Sequence, residues 1–108
     1  MKQIRKSPEA QKDEEPAVVY YARQSIEVAD RFIDEIRIVT HKIARTPGIG
    51  SLRFAQALDI HGLRMYPLRD FPYLIFYLIH EEYIYIMRVM HGHRDVFGLL
   101  LGITGDEK

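Results

Sequence analysis

The apolar pattern of this sequence changes period partway along, and that change limits the possible folds more than any other feature. Ile26, Ala29, Phe32, Ile33, Ile36, Val39 and Ile43 recur at intervals of three and four, the spacing that draws one stripe along an α-helix. Ser25 stands where an N-cap hydroxyl belongs, and Glu27 and Asp30 sit where the helix dipole favours anions. Thr46-Pro47-Gly48-Ile49-Gly50 stops the run, so an amphipathic helix is expected over Ile26–Arg45. From Gly62 onward the period is 2, and tyrosine, isoleucine and phenylalanine dominate, as on a pleated surface. Three strands are expected: Gly62–Leu68, with Leu63 and Met65 opposite Arg64 and Tyr66; Tyr73–Ile79, apolar on both faces; and Tyr83–Met90, carrying one charge, Arg88. Residues 69–72 and 80–82 are too short for crossovers, so the strands are antiparallel neighbours. A meander against a helix makes an α+β fold.

Upstream, Gln3–Lys6 reads as a short strand, and Ser7-Pro8 has the form of a helix start, hydroxyl first and proline at the opening position. Pro16 lacks the amide that a helix interior needs, so the helix is expected to break there, with Pro16 opening a second piece through Arg23. Downstream, His91-Gly92-His93-Arg94-Asp95 leads into Val96–Leu101, where Phe97, Leu100 and Leu101 are expected in a short helix or tail. One helical layer cannot cover both faces of Tyr73–Ile79. Either Tyr73, Ile75, Tyr77 and Ile79, or Leu74, Phe76 and Leu78, must look toward the tail leucines, a second copy or a partner.

The 108 residues suit a single domain over 1–108. Fifteen Lys plus Arg balance fifteen Asp plus Glu, so no overall field draws the molecule to nucleic acid or an anionic membrane, and any anion site must be local. The absence of cysteine removes disulfides, thiolate-held zinc and thiol catalysis, and fits a reducing cytoplasm. No apolar run is long enough to span a bilayer, and no leader is visible, so a cytoplasmic location without membrane contact is expected.

Several segments, in order, resemble the ParE branch of the RelE/ParE superfamily of bacterial type II toxins: Ser7-Pro8-Glu9-Ala10, Ala29-Asp30-Arg31-Phe32-Ile33-Asp34, Pro47-Gly48-Ile49-Gly50, Gly62-Leu63-Arg64, Tyr73-Leu74-Ile75-Phe76-Tyr77 and Arg88-Val89-Met90-His91-Gly92-His93-Arg94-Asp95. The last is the most specific. The resemblance implies a short first strand, a helical hairpin, an antiparallel sheet of three to four strands and a cognate antitoxin that wraps the toxin. Lys6, Glu14 and Pro16 depart from the family pattern, which expects apolar residues at the first two and a continuous helix at the third.

ParE-type members, the resemblance implies, poison DNA gyrase by protein contact while it holds cleaved DNA. RelE-type members instead cut ribosome-bound mRNA, which requires a base for the 2′-hydroxyl, an acid for the leaving oxygen and cations for the phosphorane. Here no lysine lies between Lys42 and Lys108 and no tyrosine follows Tyr85, so a ribonuclease would rest on His91, His93 and Arg94. The preferred reading is a gyrase-directed toxin without chemistry of its own; a ribonuclease acting on ribosome and mRNA, and a nontoxic binding module, are the alternatives. Arg64, Arg69, Arg88 and Arg94 are the candidate target contacts, with Arg88 expected instead to pair internally with Asp95, Asp70 or a backbone carbonyl. Tyr73, Ile75, Tyr77 and Ile79 are the candidates for antitoxin binding or for self-association into a homo-oligomer. Tyr66, Tyr73, Tyr77, Tyr83 and Tyr85 suit base stacking or the core, with the core favoured. His91 and His93 face the same way in extended chain, yet no third ligand is marked, so neither metal nor cofactor is expected.

Overall fold

The computed structural model describes residues 1–96, so the expectations for Phe97, Leu100 and Leu101 lie outside the described residues. Gln3–Lys6 (β1) leads through Ser7 into a helix over Pro8–Gln24 (α1), a second helix over Ile26–Arg45 (α2), and three strands, Arg64–Pro67 (β2), Tyr73–Ile79 (β3) and Tyr83–His91 (β4). β2, β3 and β4 form the expected antiparallel meander. β1 adds to β4 in parallel, giving a mixed four-stranded sheet in the order β1-β4-β3-β2. Among the described residues, no helix is long and apolar enough to cross a membrane.

Ser7 ties three elements together. Its Oγ accepts from the Ala10 N–H at 2.9 Å, capping α1, and donates to the Met87 carbonyl at 2.7 Å, while its N–H donates to the Ile86 carbonyl at 2.9 Å. Those carbonyls are exposed to Ser7 because β4 carries an irregularity. Phe76 pairs with Arg88 and Tyr77 with Ile86, leaving Met87 extra, which is a β-bulge that reverses the in-out alternation beyond it. Ile84 and Ile86 therefore face the helices, and so does Val89 rather than Arg88.

The expected break at Pro16 does not occur: α1 runs unbroken from Pro8 to Gln24 with the proline inside. The missing amide costs one bond to the Lys12 carbonyl on an exposed turn. Tertiary contacts on both sides hold the axis, with Ala10 and Ala17 buried on the inner face and Asp13 bound to β4. Lys6 and Glu14, the other departures, form an ion pair at 2.7 Å between β1 and α1. Ser25 alone joins the helices: its N–H donates to the Tyr21 carbonyl, closing α1, and its Oγ accepts from the Glu27 and Val28 amides, opening α2.

α2 buries Phe32, Ile36, Val39 and Ile43 in a core shared with the sheet, and Ala29 is buried as well. Ile26 and Ile33, from the same expected stripe, flank it and remain exposed. Tyr73, Ile75 and Tyr77 pack under the helices, where Tyr77 donates to the Pro47 carbonyl at 2.7 Å and accepts from the Gly50 N–H at 2.8 Å. A Cβ on Gly50 would stand 2.5 Å from that hydroxyl, so only glycine fits. The opposite face, bearing Phe76, Leu74 and Leu78, is covered from within the described chain. Phe54, Ala55, Leu58 and Ile60 fold over it with Leu63, Met65, Met90 and Val96, burying Phe76 and leaving Leu74 and Leu78 half-buried.

Candidate functional site

The string Arg88 to Asp95 folds into a small scaffold at the end of β4. His91 donates its N–H to Asp95 Oδ2 at 2.9 Å, and its imidazole Nδ1 accepts the amides of His93 at 3.2 Å and Arg94 at 3.0 Å. Gly92 N–H donates to the Pro72 carbonyl at 2.8 Å, which ties the turn to the start of β3. An imidazole that accepts at Nδ1 carries its proton on Nε2 when neutral. Burial, then the nearby Arg94 charge, lowers the His91 pKa below the ordinary histidine value. The turn aims Arg94 past the Tyr73 hydroxyl, 3.5 Å from Nη2, and beside Asp95, 3.4 Å from Nε, with 68% of its side chain exposed. Those two partners also keep its guanidinium charged, raising its pKa.

Arg88 lies one layer deeper. Its Nε and Nη2 each donate at 2.8 Å to the Asp13 carboxylate, which also accepts the Val89 N–H at 3.0 Å. Asp13, not Asp95, Asp70 or a carbonyl, is thus the partner of this arginine, and the bond holds its pKa up. Between α1 and the turn runs an open groove of about 1370 Å³. Lys12, Pro16, Tyr20 and Arg23 form one wall, His91, Arg94 and Asp95 the other, and Tyr21, Tyr73 and Met90 lie between. Tyr21 sits in a cluster with Phe32, Phe71 and Tyr73, ring centroids 4.9 to 6.4 Å from Tyr21, which fixes this end of the groove against the core.

The structure divides the four candidate arginines. Arg88 and Arg94 line the groove, whereas Arg64 donates to the Gly50 carbonyl at 2.7 Å and the Gly48 carbonyl at 3.2 Å, stapling the turn after α2. Arg69 is exposed on the β2–β3 turn, beside a separate depression with Arg31 and Lys42, and the Glu35 carboxylate accepts the amides of Arg69 and Asp70. Of the residues expected to bind an antitoxin or a second copy, Tyr73, Ile75 and Tyr77 are 5%, 0% and 0% exposed and belong to the core under the helices, while Ile79 is at the surface at 40%. Of the tyrosines, Tyr66, Tyr83 and Tyr85 are half-buried. His93 is exposed, and the Nδ1 lone pair of His91 is spent on two backbone amides, so His91 can act as a base there only by releasing both. Among the described residues no group of three possible metal ligands occurs.

Asp13 and the α1 wall were missed from sequence. Lys12, Pro16, Tyr20 and Arg23 recur at four, four and three, a stripe visible only if the helix is carried through the proline.

A family model described as the ParE toxin of the type II toxin-antitoxin system, parDE, matches residues 4–96. No curated protein matches the chain significantly. A solved chain from the chromosomal ParDE toxin-antitoxin system of P. aeruginosa has a similar fold, with a TM-score of 0.69 at 17% sequence identity, over 84% of this chain and 96% of that one.

Proposed function

The chain belongs to the ParE toxin family of type II toxin-antitoxin systems, and from that premise we propose that it stops growth by contacting DNA gyrase while the enzyme holds cleaved DNA, and that a cognate antitoxin neutralises it. One observation supports contact over catalysis. The polar chemistry of the His91–Asp95 turn is spent on building the turn, with the imidazole Nδ1 lone pair and the Asp95 carboxylate both bound to backbone amides, while Arg94 lines an open groove. A cation so presented binds an anionic surface, and the adjacent His91 could take a 2′-hydroxyl proton at Nδ1 only by giving up two backbone bonds. For the antitoxin, the exposed apolar side chains of the helical hairpin, Val19 and Ile26, offer the kind of surface an amphipathic helix covers.

The test is a supercoiling assay with purified gyrase, relaxed plasmid and the purified protein, run beside primer extension on transcripts from cells expressing it. Loss of supercoiling, reversed by Arg94→Glu, with transcripts intact, is expected. Normal supercoiling would sink the proposal, and positioned transcript cuts would replace it with the ribonuclease.

A further inference from the structure

The chain as a whole is neutral, but the groove is not. Among the described residues its charged lining is Lys12, Arg23, Arg88 and Arg94 against Asp13 and Asp95, an excess of two positive charges. Both acids are already engaged, Asp13 by Arg88 and Val89, Asp95 by the His91 amide and Arg94. Lys12 and Arg23 make no ion pair among the described residues, and both are exposed. Eleven residues apart on one helix, they share a face and stand roughly 16 Å from each other along the axis. Arg94 occupies the facing wall. Three cations around a channel of that length complement an extended polyanion better than a single small anion.

Tyr20 decides which polyanion. It is 59% exposed, lies between Lys12 and Arg23 on the groove wall, and is braced edge-on against Tyr21 at 5.2 Å and 75°. A rigid, exposed aromatic ring flanked by cations is the element that stacks on a nucleobase of any identity while the cations hold the phosphates. An acidic peptide would use the charges and leave the ring idle. We propose that the groove between α1 and the His91–Asp95 turn binds single-stranded DNA, with phosphates against Lys12, Arg23 and Arg94 and a base on Tyr20. This goes beyond the gyrase reading and can be measured without the enzyme.

The experiment is fluorescence anisotropy of a labelled single-stranded DNA of about a dozen nucleotides, titrated with the purified full chain between about 50 and 200 mM salt. Native protein should bind with a log–log salt slope of about −2, the value for three phosphates on a single strand. Lys12→Glu with Arg23→Glu should abolish that binding. Tyr20→Ala should weaken it about 5- to 150-fold while leaving the slope unchanged. All three side chains are exposed, and circular dichroism of each variant verifies its fold. No binding at the lowest salt, equal binding by the double variant, unchanged affinity of Tyr20→Ala, or equal affinity for duplex DNA or poly-glutamate would each overturn the proposal. Supercoiling run on the same preparation separates the two readings: inhibition without DNA binding defeats the groove and leaves the gyrase target, and binding without inhibition does the reverse.

Discussion

Replacing Asp13 by alanine should be the most damaging single change near the groove, and its cost can be built up from the contacts. The substitution removes two charge-assisted bonds to Arg88, each 2.8 Å, and the acceptor of the Val89 N–H at 3.0 Å. Breaking a fully buried pair costs about 3–5 kcal/mol, but the Arg88 side chain is 37% exposed and recovers part of its hydration, so about 2 kcal/mol is the fitting share. Val89 is 1% exposed, and its stranded amide adds about 1 kcal/mol. A loss of about 3 kcal/mol lowers the melting temperature of a chain this size by about 12 °C. The measurement is thermal unfolding by circular dichroism at neutral pH on Asp13→Ala, Arg88→Met and the double variant. Because Arg88→Met removes the charge that Asp13→Ala strands, the double variant should recover roughly 2 kcal/mol of the single variant's loss. A double variant no more stable than Asp13→Ala, or a single-variant loss below about 1 kcal/mol, would refute the view that this pair clamps α1 to the bulged strand.

Pro16→Ala should stabilise the protein. Restoring the bond to the Lys12 carbonyl is worth up to about 3 kcal/mol, reduced by about 1 kcal/mol for the looser unfolded chain, and a melting temperature about 8 °C higher is expected. An unchanged or lower value would mean that α1 is not continuous through this residue. Stability should also fall in acid through His91. Its pKa is lower in the folded state than the unfolded value of about 6.5, so its contribution is complete above that pH and is lost as pH falls through the folded value. His91→Asn offers an Oδ1 that accepts the same amides without titrating, so unfolding of native protein and variant measured across this window should diverge; parallel curves would show that His91 titrates alike in the folded and unfolded chain.

Local signals in the sequence were legible where one side chain or one spacing determines the outcome. The stripe of α2, the Ser7-Pro8 start, the Ser25 cap and the period-2 strands are of this kind, since each depends on geometry within a few residues. The second face of the sheet was not. Residues 54–60 carry Phe54, Ala55, Leu58 and Ile60 without strand or long-helix periodicity, and a pattern that belongs to no regular element gives no hint that it closes a core. The arginines were legible as residue types and not as roles. Arg64 meets two carbonyls of a turn 14 and 16 residues away, and Arg88 meets an acid 75 residues away, distances across which sequence spacing carries no information.

The two largest departures have one physical origin, and it bears on the site. Intrinsic propensity makes Pro16 a break, but propensity is a cost of a few kcal/mol, and the packing of Ala10 and Ala17 with the Asp13 clamp outweighs it. Alternation along β4 makes Arg88 and Ile86 share a face, but the bulge at Met87 costs one ladder position and is satisfied by the hydroxyl and amide of Ser7. Undo either and the groove disappears. With a break at Pro16, Lys12 and Arg23 would ride on separate pieces and lose their common face. Without the bulge, Arg88 would point where Val89 now packs, Asp13 would have no partner, and the His91–Asp95 turn would leave the sheet on its other side. Both irregularities therefore sit where the sequence departs from its own local preferences, and both set which residues line the groove, Lys12, Tyr20 and Arg23 from α1 and Arg88 and Arg94 from β4 and its turn.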